Sequence, residues 1–109
     1  MIALKQKFHE IYMLWADSPD HEFLIKIGQT TNMKNRIRNI QSGCPFNVRP
    51  FIAFQTIEPG KDERLILDQF SEYQLRGEWF NLPVDVFDEL VLQFRETQQM
   101  FRMREREAG

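Results

Sequence analysis

Four side chains in this sequence belong to types that could together cleave a phosphodiester bond. Tyr12, Lys26 and Arg36 supply a phenol, an ammonium and a guanidinium within one short stretch, and Glu63 supplies a carboxylate further along. A phenol can exchange a proton with water, a guanidinium binds phosphate, and a carboxylate can hold a divalent cation. This chemistry requires a fold that brings the four side chains together.

The first two strands are predicted to place Tyr12 beside Lys26. Residues 10–16 and 22–28 are rich in the β-branched, aromatic and aliphatic types that favour strands. With a turn centred on Pro19, antiparallel pairing sets Tyr12 opposite Lys26 on one face. The ammonium would then lower the pKa of the phenol, as a general base requires. The alternative is a half-buried tyrosine whose lysine neighbour only packs its stem against the sheet.

Thr30, Thr31 and Asn32 are the N-cap candidates of a helix predicted to run to about Ser42, with Gly43 as its stop. The helical period places Arg36 at the rim of the apolar stripe, from where it can point toward the sheet. An ordinary salt bridge is the other interpretation of this arginine. The stripe itself consists of Met33, Ile37 and Ile40.

A second helix, predicted over about residues 62–73, carries Glu63 in the middle of its buried stripe. An ionised carboxylate on a core-facing position needs a partner, because burying it alone costs several kcal/mol. A metal ion is one such partner. A helix-capping arrangement near Gly60, where the helix dipole favours an anion, is the other.

The net charge of −2 hides an asymmetry along the chain. No acid occurs from Phe23 to Ile57, a segment with a net charge of +5, so the remainder carries −7. Such a basic patch is expected if one face meets phosphate, although a solvated basic helix face would give the same pattern. The five basic residues are Lys26, Lys34, Arg36, Arg38 and Arg49.

Composition indicates one ordinary globular domain, with 42% apolar and 28% charged residues among 109. No signal peptide or membrane span is predicted, and the single cysteine, Cys44, fits a reducing cytoplasm. Residues 1–9 are predicted to be a flexible lead-in, and residues 51–57 a third strand. An amphipathic helix follows Pro83, with the stripe Phe87, Leu90, Val91 and Phe94.

Several short motifs occur in an order that resembles the GIY-YIG nucleases, in the branch common in phages and bacteria. The first strand holds Ile11-Tyr12, the second ends in Lys26-Ile27-Gly28, and Arg36 follows eight residues later. Further motifs are Gln41-Ser42-Gly43-Cys44-Pro45, Glu63 with Phe70 seven residues on, and Arg76-Gly77-Glu78-Trp79-Phe80.

The resemblance implies an α/β (α+β) fold, a small three-stranded antiparallel sheet flanked by helices. Residues 10–83 would form the nuclease domain. Residues 84–109 would form a C-terminal helix that packs on the domain or mediates a homodimer.

The resemblance also implies a DNA endonuclease that uses one Mg²⁺ or Mn²⁺ per site. Tyr12 would be the general base, Glu63 the metal ligand and Arg36 the group that stabilises the phosphate. Lys26 stands where many members have a second tyrosine and would assist. Gly28 and Asn81 would support the site, and Lys34, Arg38 and Arg49 would grip the DNA backbone.

A second hypothesis is a catalytically silent module that binds nucleic acid or a partner protein. A phage or mobile-element factor that acts on a host protein is one example. The acidic remainder of the chain favours it, because negative charge repels DNA outside the basic patch. Salt separates DNA-acting from protein-binding versions of these hypotheses: a nuclease or DNA-binding module should lose affinity steeply as salt rises, whereas a protein-binding module need not.

Overall fold

A computed structural model describes the backbone of residues 8–108 and the side chains of residues 8–103. The predicted lead-in of residues 1–9 lies almost entirely outside the described residues. The elements in chain order are β1 (His9–Ala16), β2 (Leu24–Thr30), α1 (Met33–Ser42), β3 (Val48–Thr56), α2 (Pro59–Gln69), a 3₁₀ turn (Ser71–Tyr73), β4 (Gln74–Arg76), β5 (Trp79–Asn81) and α3 (Val84–Ala108).

The sheet has five strands in the order β3-β1-β2-β5-β4, with antiparallel pairing throughout. The prediction of an α+β fold is confirmed, but the expected three strands are too few. The two additional strands have only three residues each, which is too short for a period-two pattern to reveal them. They form a hairpin around Gly77, whose φ of 56° is the left-handed conformation that favours glycine.

The register of the first hairpin differs from the prediction by two residues. Tyr12 pairs with Gly28, and Lys26 pairs with Leu14. The connection is centred on Asp20 rather than Pro19, because Ala16 pairs with Leu24 and β2 begins two residues later than expected. A two-residue shift preserves the face, so Tyr12 and Lys26 still lie on one side of the sheet as diagonal neighbours.

The two faces of the sheet bury separate clusters. On one face, α2 and α3 cover a large core that includes Ile25, Phe80 and Phe94. On the other, α1 covers a smaller cluster in which Tyr12, Leu14 and Leu24 are buried. The predicted stripe of α1 packs against this smaller cluster, as expected: Met33, Ile37 and Ile40.

The helix limits agree with the sequence at α1 and differ at α2. Asn32 is the N-cap of α1, since its side chain accepts a hydrogen bond from the Asn35 backbone N–H at 3.1 Å, and Gly43 is the C-cap. Helix α2 starts at Pro59 and not at Asp62, because proline suits the first helical turn. The Asp62 carboxylate interacts with the Thr56 hydroxyl at the end of β3.

Helix α3 docks with its first half. Its predicted stripe is buried, with Leu90 and Phe94 fully inaccessible, whereas Met100 and Met103 are more than half exposed. A homodimer through this helix stays a prediction. Among residues 8–108, none of the helices combines the length and the apolar character needed to cross a lipid bilayer.

Strand β3 forms one of the two edges of the sheet. This edge strand contains Pro50, and its pairing with β1 is irregular between Met13 and Leu14. Helix α3 lies against the same strand, and the Gln98 side chain donates a hydrogen bond to the Ala53 carbonyl at 3.1 Å.

Candidate functional site

The side chain of Tyr12, on β1, lies directly over its pairing partner Gly28 on β2. The tyrosine is only 1% exposed. A Cβ atom at residue 28 would overlap the phenol oxygen and its ring carbon. Glycine is therefore required at this position so that the phenol can lie against the backbone of the second strand.

Glu78 is a site residue to which the sequence motifs assigned no role. It precedes β5 and lies beside β2, where its carbonyl accepts a hydrogen bond from the Ile27 N–H at 3.1 Å. Its carboxylate oxygen is 3.2 Å from the position of a Cβ on Gly28 and 3.4 Å from Lys26 Nζ. The signal in the sequence was that Glu78 is the only acid in residues 74–83.

Lys26 connects Glu78 to an aromatic ring. Its ammonium lies 5.4 Å from the centre of the Trp79 ring, and only 17% of its side chain is exposed. The lysine thus has two partners, a carboxylate and an indole face, and both hold it on the Tyr12 side of the sheet.

Glu63 on α2 approaches the same carboxylate. Its Oε2 atom is buried and has no hydrogen-bond partner among the described residues. Burial raises the pKa of Glu63, and the negative charge of the neighbouring Glu78 raises it further. Interactions with the Gln29 amide and with Arg36 act in the opposite direction. Two carboxylates within reach of each other favour a shared proton or a bound cation.

The expected lowering of the Tyr12 pKa is wrong. Burial raises the pKa of Tyr12 to about 12, and the negative charges of Glu78 and Glu63 add to this effect. Arg36 is the group that lowers it. The prediction placed Lys26 directly opposite the phenol, but Gly28 has that position and the lysine ammonium interacts with Glu78 instead.

Arg36 lies at the open side of this cluster. It is exposed on the first turns of α1, and its guanidinium donates a hydrogen bond to the Gln29 carbonyl at 3.4 Å. Its positive charge lowers the pKa of both Tyr12 and Glu63. The guanidinium is therefore close enough to meet an anion that approaches the two carboxylates and the phenol.

The pair of carboxylates fits a divalent cation of the Mg²⁺ type. Such an ion keeps several waters and takes only one or two protein carboxylates, with substrate phosphate completing its shell. The buried Oε2 of Glu63 has no other partner among residues 8–103, and Glu78 is its neighbour. Within the described residues, no group of three or more His, Cys, Asp or Glu side chains is arranged to hold a metal ion.

The remaining predicted residues separate into two groups. Lys34 and Arg38 are exposed on α1, on the same helix as Arg36. Arg49 is not brought to the site, because it pairs with Asp17 at 2.8 Å and lies 5.1 Å from the Trp15 ring. Asn81 also lies away from Glu63, since it pairs with Leu24 at the far end of β2 from Gly28.

Comparison with known proteins places the chain in a family other than the expected one. A model described as the T5orf172 domain matches residues 10–95. The GIY-YIG nucleases gave no match, so the resemblance proposed from the short motifs is wrong. Searches of curated proteins and of solved structures found no match. The short motifs place a tyrosine and a lysine on a hairpin and an arginine on a helix. This arrangement alone was not sufficient to identify the family.

Proposed function

Because the chain belongs to the T5orf172 domain family and the matched region contains the whole site, we propose that this domain hydrolyses phosphodiester bonds in DNA with a divalent cation. The approach of Glu63 to Glu78 beside the Tyr12 phenol carries the proposal. Two carboxylates held together against their mutual repulsion cost free energy, which a bound cation would offset.

The cation, Mg²⁺ or Mn²⁺, would be held by Glu63 and Glu78. When bound, it would supply Lewis-acid activation of the phosphate and neutralise charge that develops on its oxygens. The single protein atom that most clearly supports this assignment is Glu63 Oε2, which is buried without a hydrogen bond among the described residues. A carboxylate oxygen in that position is unfavourable unless a proton or a cation is close to it.

Arg36 would bind the scissile phosphate. It is exposed, and its charge already acts on Tyr12 and Glu63. A guanidinium presents several N–H donors in a plane and suits the equatorial oxygens of a phosphate. Lys34 and Arg38 on the same helix would contact neighbouring phosphates and contribute affinity without reading bases.

Tyr12 would orient the attacking water and accept its proton. Its pKa of about 12 means that the residue is a neutral phenol at pH 7 in the free protein. To accept a proton, the phenol must first release its own proton to solvent, and this requires positive charge nearby in the substrate complex, beyond what Arg36 supplies. Lys26 would act as a positioning residue, because its interaction with Glu78 fixes the carboxylate beside Gly28.

The direct test is cleavage of labelled single-stranded and duplex DNA with Mg²⁺ or Mn²⁺, with EDTA as a control. We expect cutting that Glu63→Gln and Tyr12→Phe each reduce by at least about 100-fold. Glu72→Gln is the matched control, because Glu72 is an exposed acid on the 3₁₀ turn and should leave cutting unchanged.

A negative result would be equally informative. If the folded parent protein cuts no DNA under any of these conditions but still binds it, the catalytic proposal fails and a binding module remains. If it neither cuts nor binds DNA, the nucleic-acid function itself is wrong.

A further inference from the structure

A groove opens on the Tyr12 side of the sheet, next to the proposed site. Its volume is about 500 Å³. Trp79 and Arg76 line one wall, Ile40 and Phe46 line the other, and Lys26 lies at the end nearest the site. A cavity of this size with mainly apolar walls and a few polar groups has the usual character of a small-ligand pocket.

We propose that this groove, hereafter the Trp79 groove, binds an unstacked nucleobase of the DNA strand whose phosphate occupies the Tyr12–Glu63 site. The inference rests on the proposed function and specifies its substrate, a strand with an unpaired nucleotide beside the scissile phosphate.

Charge favours nucleic acid as the occupant. Although the chain has a net charge of −2, no acidic residue among those described lines the groove, and both charged residues that do, Lys26 and Arg76, are basic. Bases attached to a phosphate backbone combine a flat apolar face with a nearby negative charge. Aromatic side chains flanked by cations are the surface that binds such groups without reading sequence.

Lys26 makes the groove continuous with the site. Its ammonium contacts Glu78 on one side and the Trp79 ring on the other. Tyr12 pairs with Gly28, two residues along β2 from Lys26, which is a separation of ~7 Å. Because Lys26 itself lines the groove, the near end of the groove lies within about one nucleotide of Gly28, so a phosphate at the site and a base in the groove can belong to one strand.

The wall opposite Trp79 is fixed in place by Gln41. The side-chain amide of Gln41 donates to the Phe46 carbonyl at 2.8 Å, and its oxygen accepts a hydrogen bond from the Val48 N–H at 2.7 Å. These bonds hold the loop after α1 in one conformation. A pre-formed groove loses little entropy when a base enters it.

Tryptophan fluorescence gives the test, because the chain has two tryptophans in different surroundings. Trp15 lies in the aromatic cluster on the opposite face, next to Phe23. In a Trp15→Phe background, fluorescence reports Trp79 alone, and in a Trp79→Phe background it reports Trp15 alone. Each is titrated with a thymidine oligonucleotide of about ten residues in EDTA, so that binding is measured without cleavage.

We expect quenching in the Trp15→Phe protein and none in the Trp79→Phe protein. The single strand should bind at least about tenfold more tightly than a blunt duplex of the same length. Gly43→Phe should weaken single-strand binding by about tenfold, because residue 43 lines the groove and has open space where a side chain would begin. Ser42→Phe, on the neighbouring exposed position, is the matched control and should bind normally.

Three results would overturn the inference. One is DNA binding, measured by anisotropy of a labelled strand, that neither quenches Trp79 nor responds to Gly43→Phe; this would leave the proposed function intact. Another is quenching that appears when protein concentration rises without DNA, which would assign the groove to a second copy of the chain. The third is the absence of any DNA binding both in EDTA and with the cations of the cleavage assay, which would also remove the proposed function.

Discussion

The phenol of Tyr12 lies against the backbone of Gly28, in space that any other residue at position 28 would fill. This contact couples the strand register to the chemistry, because only the observed pairing sets a glycine opposite the tyrosine. The same position brings the Glu78 carboxylate to the phenol.

We therefore expect Gly28→Ala to destabilise the protein and to disturb the site. The added methyl group would overlap Tyr12, and overpacking of this kind costs about 1–3 kcal/mol of unfolding free energy. Urea unfolding measures the loss. Gly43→Ala is the control, since nothing lies within 4 Å of its Cβ position, and it should change stability by less than about 1 kcal/mol. Equal effects of the two substitutions would show that the Tyr12 contact is unimportant.

Alkaline pH should destabilise the parent protein through Tyr12. The phenol has an ordinary pKa of 10.0 when unfolded and about 12 when folded, so the folded state holds the proton more tightly. This contribution to stability is then fully present below pH 10 and is lost as the pH rises through 12, by about 2.7 kcal/mol in total. Urea unfolding at pH 8 and near pH 11 should show a steeper loss for the parent than for Tyr12→Phe. Parallel pH profiles would contradict the raised pKa.

Glu63→Gln should stabilise the protein in EDTA at neutral pH. The pKa of Glu63 is raised by burial and by Glu78, so its ionised form is disfavoured in the folded state and its stability contribution falls as the pH rises above the ordinary value of 4.5. Removing the charge removes that cost. The melting temperature in EDTA measures the effect, and Glu72→Gln, at an exposed position, should leave it unchanged.

Addition of Mn²⁺ should make the parent protein more stable than Glu63→Gln. A cation that binds only the folded protein adds about 2.7 kcal/mol when its concentration is about 100 times Kd, and this gain needs both carboxylates. Mn²⁺ should therefore raise the melting temperature of the parent and leave that of Glu63→Gln nearly constant. Equal shifts in both proteins would assign the cation to another place.

The basic residues of α1 should control the salt dependence of DNA binding, whereas Arg49 should not. Lys34→Ala and Arg38→Ala each remove one exposed charge, so each should reduce the slope of log K against log salt by about 1 if that side chain meets one phosphate. Arg49 is engaged by Asp17 and Trp15, so Arg49→Ala should leave the slope unchanged. A fall in slope for Arg49→Ala alone would place the DNA on the opposite face.

Substitutions in the first half of helix α3 should lower the unfolding free energy, whereas substitutions in its second half should leave it nearly unchanged. Phe94 is fully buried and stacks edge-on against Phe54 with ring centres 5.0 Å apart, so Phe94→Ala should cost about 3–5 kcal/mol. Met100 is 54% exposed, and Met100→Ala should stay within about 0.5 kcal/mol in the single chain. A larger loss for Met100→Ala that depends on protein concentration would support the predicted dimer.

Periodicity predicted the elements that are long enough to repeat a pattern. The stripes of α1 and α3 and the stop at Gly43 follow from residue types at fixed spacing, whereas the cap at Asn32 was one of three adjacent candidates. The β4–β5 hairpin does not, because each strand makes too few pairs to show alternation. The missing hairpin explains why Glu78 received no role, since only this hairpin places it next to Gly28.

The register error had a local cause and a limited effect. Pro19 is a turn residue, but the connection also includes a hydrogen bond between Ser18 and His21 and another from the Asp17 N–H to the Asn47 carbonyl. These contacts make the turn longer than proline alone suggests. The pKa of Tyr12 could not be predicted for a related reason: it depends on burial and on two acids that are distant in sequence.

The two outer strands of the sheet give this domain little capacity to recruit another strand. Strand β3 contains Pro50, which lacks a backbone N–H, and is irregular near the same point, while β4 has only three residues. Edges of this kind disfavour intermolecular β-pairing. We therefore expect a partner to bind through side-chain surfaces and not by strand addition.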